Sequence, residues 1–204
     1  MAKRNPRLED LREACVAEAL SIIGETGLEQ LSLREVARRL GVSHQAPYKH
    51  FPSRDHILAE VVSRAYSAFA AYLDQRPRHA DPHADLHEMG LAYLSYAHDH
   101  PLHYRLMFET QLPHPTEHPE MMRNAKHAFA LLRDAIAKLP GHPGPAPPEM
   151  HALFVWAALH GLVAIMRCSA LDTLGLTADT LQQMIPFAMG QIGLTLEPQP
   201  RPDR

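Results

Sequence analysis

The stretch LSLREVARRLGVSHQAPYKHFPSRDHIL, residues 31–58, contains two short apolar-periodic segments separated by a glycine. Ser32 precedes the first segment and Glu35 follows three residues later, which is the pattern of a capping box at a helix start. Gly41 ends that segment, and Ser43 stands where it can cap a further helix. The pattern therefore predicts two short helices joined by a tight turn, which is the arrangement of a helix-turn-helix.

The second helix of this pair, predicted over about 44–50, presents polar side chains outward. The major groove of B-DNA admits an α-helix and displays a distinct donor and acceptor pattern for each base pair. Glutamine can pair bidentately with adenine and alanine can meet a thymine methyl, so Gln45 and Ala46 are candidates for base contacts. Pro47 removes one backbone donor, and it predicts a helix that starts irregularly.

Further polar residues around this helix carry donors suited to phosphate oxygens. Arg54 would act together with the N–H groups at the start of the next helix. The complete predicted DNA-contact set is Ser32, Arg34, Ser43, His44, Gln45, Ala46, Tyr48, Lys49, His50 and Arg54. Lys3, Arg4 and Arg7 could add a flexible basic arm. A helix pair that serves only for packing is the alternative reading of the same pattern.

The rest of the chain also follows helical periodicity, so we predict an all-α fold. The further helices are predicted over residues 8–25, 53–75, 83–99, 101–110, 119–139, 149–170 and 177–194, with a Pro/Gly-rich loop over 140–148. We predict a DNA-binding domain over 1–54, linked through the helix at about 53–75 to a ligand-binding and dimerisation domain over 76–196. Residues 197–204 form a Pro-rich tail that we expect to be disordered.

The composition is that of an ordinary globular protein, with 204 residues, 46% hydrophobic residues and a net charge of −3. No apolar run approaches the roughly 20 residues that a membrane span needs, and no signal peptide is evident. The two cysteines lie far apart in the sequence, so a disulfide framework is not expected. We therefore expect a cytoplasmic protein without membrane partners, and the acidic balance disfavours nonspecific coating of nucleic acid.

The quoted stretch resembles the DNA-binding segment of the TetR family of transcriptional regulators, through its GVS turn, its YKHF block and the following SRDHIL. The resemblance runs over about residues 8–60. It implies that Tyr48 and Lys49 touch phosphate and that the start of the second helix reads bases. Pro47 stands where many members of the family carry leucine.

The segments HDHPLHYRLMFE, residues 98–109, and VWAALHGLVAIM, residues 155–166, resemble the C-terminal half of a TetR subgroup with a Trp–His–Gly signature. Aromatic and methionine residues recur along these helices, and methionine suits an adaptable apolar pocket. The resemblance implies a cavity that binds a small molecule. The predicted ligand-binding set is Tyr93, Tyr96, Tyr104, Met107, Phe108, Met122, Phe129, Trp156, His160 and Met166. For any one of these residues, the alternative is a plain core position.

The segment ALFVWAALHGLVAIM, residues 152–166, is apolar on nearly every side, which is more than one subunit can cover. We expect the last two long helices to form a four-helix bundle across a two-fold axis, and such a homodimer predicts a roughly palindromic DNA site. Gly161 lies within this helix, where glycine is costly, so we expect another helix or a ligand to approach it closely.

Two other functions are compatible with the same sequence. The first is a metal-responsive regulator of the same fold that uses the histidines at positions 79, 83, 87, 98, 100 and 103. The second is an α-helical adaptor whose helix pair never binds DNA. No phosphate-binding glycine loop and no serine-nucleophile motif is present, so we expect neither an enzyme nor a cofactor. The sequence thus favours a homodimeric repressor that a small, mostly apolar molecule releases from its operator.

Overall fold

The computed structural model describes residues 6–141 and 146–197, and every regular element within them is helical, which confirms the all-α fold class. Eight α-helices follow in order: α1 Pro6–Thr26, α2 Leu33–Leu40, α3 Arg54–Asp74, α4 Pro82–Asp99, α5 Pro101–Phe108, α6 Pro119–Ile136, α7 Pro148–Met166 and α8 Ala178–Thr195. Single 3-10 turns span Leu28–Gln30, Pro47–Lys49 and Ser169–Thr173. The proposed basic arm at Lys3 and Arg4, the Arg7 side chain, the middle of the Pro/Gly loop and the tail after 197 lie outside the described residues.

Helix α2 begins and ends where its local sequence predicts. The Ser32 hydroxyl accepts a hydrogen bond from the Glu35 N–H at 3.1 Å, and Gly41 ends the helix in the left-handed region at φ 64°. The Glu35 carboxylate accepts instead from the guanidinium groups of Arg38 and Arg39. Only the serine half of the predicted capping box is therefore formed in the described chain.

The chain divides into two compact units that do not follow the order of the sequence. The first unit contains the residues up to Ala68 together with Leu102–Ala125, and the second contains Phe69–Pro101 together with the residues from Lys126 onward. Helix α3 contributes to both units. The functional division at residues 54 and 76 stays a prediction.

The core of the first unit is built from α1, α2, α5, the first turn of α6 and the N-terminal part of α3. Its most buried side chains are apolar, and they include Cys15, Ile22, Ile23, Leu31, Val36, Pro47, Ile57, Val62, Tyr104, Leu106 and Met121. Apolar residues of α1 and α2 recur at spacings of three and four, which places them on one side of each helix. This shared core holds the helix-turn-helix segment in place.

In the second unit, α4 packs against α7 and α8, and one glycine permits close approach. A Cβ added at Gly90 would lie 2.5 Å from the Met189 Cε, so a side chain there would displace the methionine. At Gly161, by contrast, an added Cβ would meet no atom of the described chain within 4 Å. The close neighbour expected at Gly161 is therefore not supplied by the described part of this chain.

Helix α7 is the single helix in the described ranges that is long and apolar enough to cross a membrane by length and composition alone. Its mean hydropathy is 1.5, and 28% of the apolar window is buried in one copy of the chain. Core helices of soluble proteins meet the same two criteria.

Candidate nucleic-acid interface

The segment between α2 and α3, residues 43–50, is called the reading segment below. The α-helix predicted over about 44–50 is wrong, because the structure has a hydrogen-bonded turn over His44–Ala46 followed by the 3-10 turn Pro47–Lys49. The Ala46 N–H donates to the Ser43 carbonyl at 2.9 Å, and Pro47 has no N–H with which to continue an α-helical ladder. The proline thus converts a short helix into two successive tight turns.

Pro47 anchors the reading segment in the core, since it is among the most fully buried side chains of the described chain. Within the reading segment, five of the predicted contact residues are exposed, namely Ser43, His44, Gln45, Tyr48 and Lys49. The Tyr48 side chain, at 41% exposure, is not the half-buried core aromatic that a packing role would require. Because the backbone is fixed by the buried proline, these side chains project from a defined platform.

Ala46 and His50 are less accessible than their neighbours, since both are half-buried. The His50 Nε2 atom is buried and has no hydrogen-bond partner among the described atoms. The His50 ring lies 6.4 Å from the Phe51 ring, measured between centroids. A contact from His50 to phosphate would therefore use the Nδ1 side of the ring or require a change of rotamer.

Helix α2 carries a cluster of arginines around a single carboxylate. Two nitrogens of Arg38 lie 2.7 and 2.6 Å from the Glu35 carboxylate oxygens, and Arg39 Nε lies 3.0 Å away. These hydrogen bonds, first that from Arg38, lower the pKa of Glu35 from 4.5 to about 2. Arg39 also reaches Glu25 of α1 at 2.7 Å, so it ties the two helices together. Arg34, on the same helix, is exposed.

Arg54, at the start of α3, is engaged with the protein backbone. Its Nε donates to the Leu31 carbonyl at 3.0 Å and its Nη2 donates to the Leu28 carbonyl at 2.8 Å. The Nη1 atom lies 3.7 Å from the Asp55 carboxylate. Two of the three guanidinium nitrogens therefore hold the 3-10 turn Leu28–Gln30 against α3, a structural task that the sequence did not reveal. A phosphate contact by Arg54 stays a prediction.

A second group of charges, not singled out from the sequence, joins α1 to α3. Arg12 Nη2 lies 2.7 Å from the Glu60 carboxylate, and the Arg12 guanidinium lies 5.5 Å from the centroid of the Phe51 ring. Arg64 Nη2 lies 2.7 Å from Glu13 and Arg64 Nε lies 2.8 Å from Glu60. The hydrogen bond from Arg64 lowers the pKa of Glu13. Only the four-residue spacing of Glu60 and Arg64 is visible as a signal in the sequence.

The predicted ligand-binding residues are divided between the two units. Tyr104, Met107, Phe108 and Met122 belong to the first unit, and there Tyr104 packs edge-on against Phe108 with centroids 4.9 Å apart. The Tyr66 hydroxyl donates to the Met107 carbonyl at 2.9 Å, and burial raises the pKa of Tyr66 to about 12. These residues are well packed, and their contact with a ligand stays a prediction.

The remaining members of the set lie in the second unit. Tyr93 and Tyr96 both pack against Phe69, with centroids 5.6 and 5.1 Å apart, and Phe129 lies 6.1 Å from Trp156. His160 is half-buried on α7, and Met166 is exposed at the end of that helix. The structure thus groups two aromatic clusters here, and it leaves Met166 on the surface.

The second unit also contains a small polar cleft of about 230 Å³ at the linker between α3 and α4, with none of the predicted ligand-binding residues in its wall. Its lining residues are Arg78, His79, Ala80, Pro82, Asp85, Ala135 and Lys138. Within residues 6–141 and 146–197, no group of three or more histidine, cysteine, aspartate or glutamate side chains is arranged to hold a metal ion. In those ranges, the histidine-rich segments therefore form no assembled metal site of the kind that a metal-responsive regulator needs.

Two family descriptions match the sequence, and together they cover both halves of the fold. Residues 16–61 match "Bacterial regulatory proteins, tetR family", and residues 86–186 match "Tetracyclin repressor-like, C-terminal domain". A curated relative, the uncharacterized HTH-type transcriptional regulator Rv0681 of Mycobacterium tuberculosis, is 26% identical over 180 residues, which are 88% of this chain and 80% of the relative.

Solved structures agree with these matches at the level of the fold. A protein of unknown function from Rhodococcus sp. RHA1 superposes with a TM-score of 0.74 at 25% identity, covering 90% of this chain and 94% of the other. A protein from Shewanella sp. PV-4, classed as a tetR family transcription regulator, has a TM-score of 0.67 at 18% identity, covering 90% and 96%. At 18% identity the likeness concerns the fold alone.

Proposed function

This chain belongs to the TetR family of helix-turn-helix, DNA-binding transcriptional regulators, and from that premise we propose that it is a homodimeric repressor. In this proposal two reading segments bind the two halves of a palindromic operator. A small, mostly apolar molecule binds in the C-terminal half and releases the DNA. As a transcriptional regulator in a bacterial cell, the protein acts in the cytoplasm. The Trp–His–Gly subgroup stays an expectation.

The proposed DNA contacts follow from the exposed side chains of the reading segment. Gln45 offers a donor and an acceptor for a base edge, whereas Tyr48 and Lys49 offer donors for phosphate oxygens. Because Pro47 is buried beneath them, these groups are held in place before DNA arrives. Arg34, exposed on α2, is placed to add a phosphate contact from the neighbouring helix.

The observation that carries the dimer is the apolar surface of the last two helices. In the described chain every exposed large apolar side chain except Tyr48 lies between Met150 and Leu194. The set consists of Met150, Leu153, Phe154, Ile165, Met166, Leu174, Leu176, Leu181, Phe187 and Leu194, and Phe187 is 68% exposed. Exposed apolar side chains in this number are unfavourable in water, and their concentration in one part of the chain supports an interaction site. A second copy supplies a matching surface, because a two-fold interface uses the same patch twice.

The proposed repression and release follow from thermodynamic coupling. A dimer reads two half-sites about 34–36 Å apart, or a multiple of that spacing, so its two reading segments must keep that separation. A ligand that binds more tightly to a conformation with another spacing lowers the affinity for DNA, and DNA lowers the affinity for the ligand by the same factor. The aromatic residues around Tyr96 and Trp156 favour an apolar effector, since ring contacts rather than charges dominate this part of the second unit.

Selection of bound duplexes from a random library at a stated salt concentration tests this function. We expect the wild-type protein to enrich an inverted repeat. A variant with Gln45, Tyr48 and Lys49 all changed to alanine should lose that preference while remaining dimeric. An adaptor without DNA binding would show no enrichment in either protein. Adding Zn²⁺ or EDTA should leave operator affinity unchanged, whereas a metal-responsive regulator would respond to one of them.

The dimer is tested by sedimentation of wild type and Phe187→Glu. We expect the wild-type protein to sediment as a dimer and the variant as a monomer, because a carboxylate would be buried without a partner at the interface. Gln111→Glu is the matched control, since it adds the same charge at an exposed loop position of the first unit. A Phe187→Glu protein that stays dimeric would show that α7 and α8 do not form the interface.

A further inference from the structure

The end of the reading segment is attached to α1 through one arginine. The Phe51 N–H donates to the Pro47 carbonyl at 2.9 Å, and the Phe51 side chain is 3% exposed. The Arg12 guanidinium lies over the Phe51 ring at 5.5 Å from its centroid, which is within the range of a cation–π contact. Whatever fixes Arg12 therefore also restrains the residue that follows Lys49 and His50.

The position of Arg12 is fixed by a network of charges between α1 and α3. Arg12 Nη2 lies 2.7 Å from one Glu60 oxygen, and Arg64 Nε lies 2.8 Å from the other. Arg64 in turn reaches back to Glu13, the residue next to Arg12. The Glu60 side chain is 18% exposed, which is the lowest exposure in the network. A partly shielded carboxylate held by two arginines is a defined geometric anchor, unlike a solvated surface pair.

We propose that Arg12 is a positioning residue for DNA reading. Its guanidinium, held by Glu60, packs on the Phe51 ring and thereby fixes the orientation of the reading segment. Arg12 acts on DNA only through Phe51, so its contribution is to sequence discrimination rather than to phosphate attraction. A reading segment built from two tight turns lacks the continuous hydrogen-bond ladder of an α-helix, and it depends more on such outside support. This inference rests on the operator binding proposed above.

The test compares binding of the duplex selected by the wild-type protein with binding of a scrambled duplex, at several salt concentrations and well below the melting temperature. Arg12→Gln should lower the ratio of specific to nonspecific affinity by about threefold per reading segment, or about tenfold for a dimer. The slope of log affinity against log salt should stay as in the wild type, because no phosphate contact is lost. Arg12→Lys keeps the charge for Glu60 without the flat guanidinium. Its affinity ratio should lie between those of the wild type and Arg12→Gln.

Two further variants separate positioning from other effects. Arg78→Gln is the matched control, since it removes the same charge from a partly exposed, ion-paired arginine of the second unit, and it should leave the ratio unchanged. In a double-mutant cycle with Phe51→Leu, Arg12→Gln should have little further effect on the ratio, because both changes break the same link. Additive losses would show that Arg12 does not act through Phe51.

Two results would overturn the inference while leaving the proposed function intact. One is an Arg12→Gln protein whose affinity ratio equals that of the wild type. The other is a loss of affinity that is equal for both duplexes, with a salt slope shallower by about 0.9 per reading segment, since Arg12 would then be a phosphate contact. A wild-type protein that prefers no duplex would instead overturn the proposed function, and this inference with it.

Discussion

Arg54 and Lys49 are both predicted to bind phosphate, and in the structure they have different surroundings. Arg54 donates two charge-assisted hydrogen bonds to the carbonyls of Leu31 and Leu28, whereas Lys49 is exposed on the reading segment. Hydrogen bonds to charged groups contribute about 1.5–3 kcal/mol each. Since the Arg54 side chain is 40% exposed, water can replace part of them, and we expect Arg54→Ala to cost about 2–3 kcal/mol in total.

For a chain of this length, such a loss corresponds to a decrease in Tm of about 5–10 °C. Lys49→Ala should leave Tm unchanged, because the side chain is exposed. The salt dependence of operator binding should show the opposite pattern. Lys49→Ala should flatten the slope by about 0.9 for each reading segment, and Arg54→Ala should leave it unchanged when measured far below Tm.

Arg54→Lys is the informative control, because lysine keeps the charge but cannot reach two carbonyls from a planar fork. We expect Arg54→Lys to show most of the decrease in Tm that Arg54→Ala shows. The assays are thermal unfolding by circular dichroism and operator titrations at four or more salt concentrations. If Arg54→Ala flattened the salt slope while Tm stayed constant, the backbone bonds would contribute nothing to stability and Arg54 would be a phosphate clamp.

Four further outcomes follow from local features of the structure. Gly90→Ala should change the free energy of unfolding by less than about 1 kcal/mol, because only the flexible end of Met189 must shift and the gain in helix propensity offsets that cost. Gly161→Ala has open space in one subunit and should raise monomer stability by up to about 1 kcal/mol, and it should weaken the dimer in sedimentation if the second copy approaches there. Ser32→Ala should cost about 1 kcal/mol in thermal unfolding, since the cap of α2 is lost. The pKa of Glu35 is lowered on folding, so its contribution to stability is present above pH 4.5 and is lost towards pH 2, where the Tm values of wild type and Glu35→Gln should converge.

Local signals were sufficient to predict most helices of the described chain. Ser32 and Gly41 bound α2 as expected, because a side-chain cap and a left-handed glycine act within a few residues of each other. Prolines mark the starts of α4 and α7 close to the expected positions. Such features depend on neighbours in the sequence, so no knowledge of the tertiary structure is needed.

The reading segment shows where local reasoning was incomplete. The missing N–H of Pro47 predicts only a short helix that starts irregularly. The structure instead buries the proline and replaces the helix by two turns. A segment of seven residues has few ladder hydrogen bonds, so the loss of one removes much of the preference for an α-helix over 3-10 geometry.

The charge contacts of the first unit could not be predicted, because they join residues that are distant in the sequence. Arg64 and Glu13 are 51 positions apart, and Arg54 and Leu28 are 26 apart. Nothing in the composition around Arg54 distinguishes an arginine that binds carbonyls from one that binds phosphate. That distinction depends on which acceptors the fold brings within about 3 Å, and it is a tertiary property.

By composition alone, α7 could be a membrane-crossing helix or a helix packed within a protein. Its packing in the structure bears on that choice. By length and hydropathy the helix could cross a membrane, but its buried residues, Ala152, Val155, Leu159, Leu162 and Val163, recur at spacings of three and four and lie on one side against α4 and α8. Helix α8 carries exposed apolar residues of its own, among them Phe187 and Leu194. One side of α7 is thus covered by protein in a single copy of the chain. The exposed apolar residues of α7 and α8 are the surface to which the proposed second copy would bind.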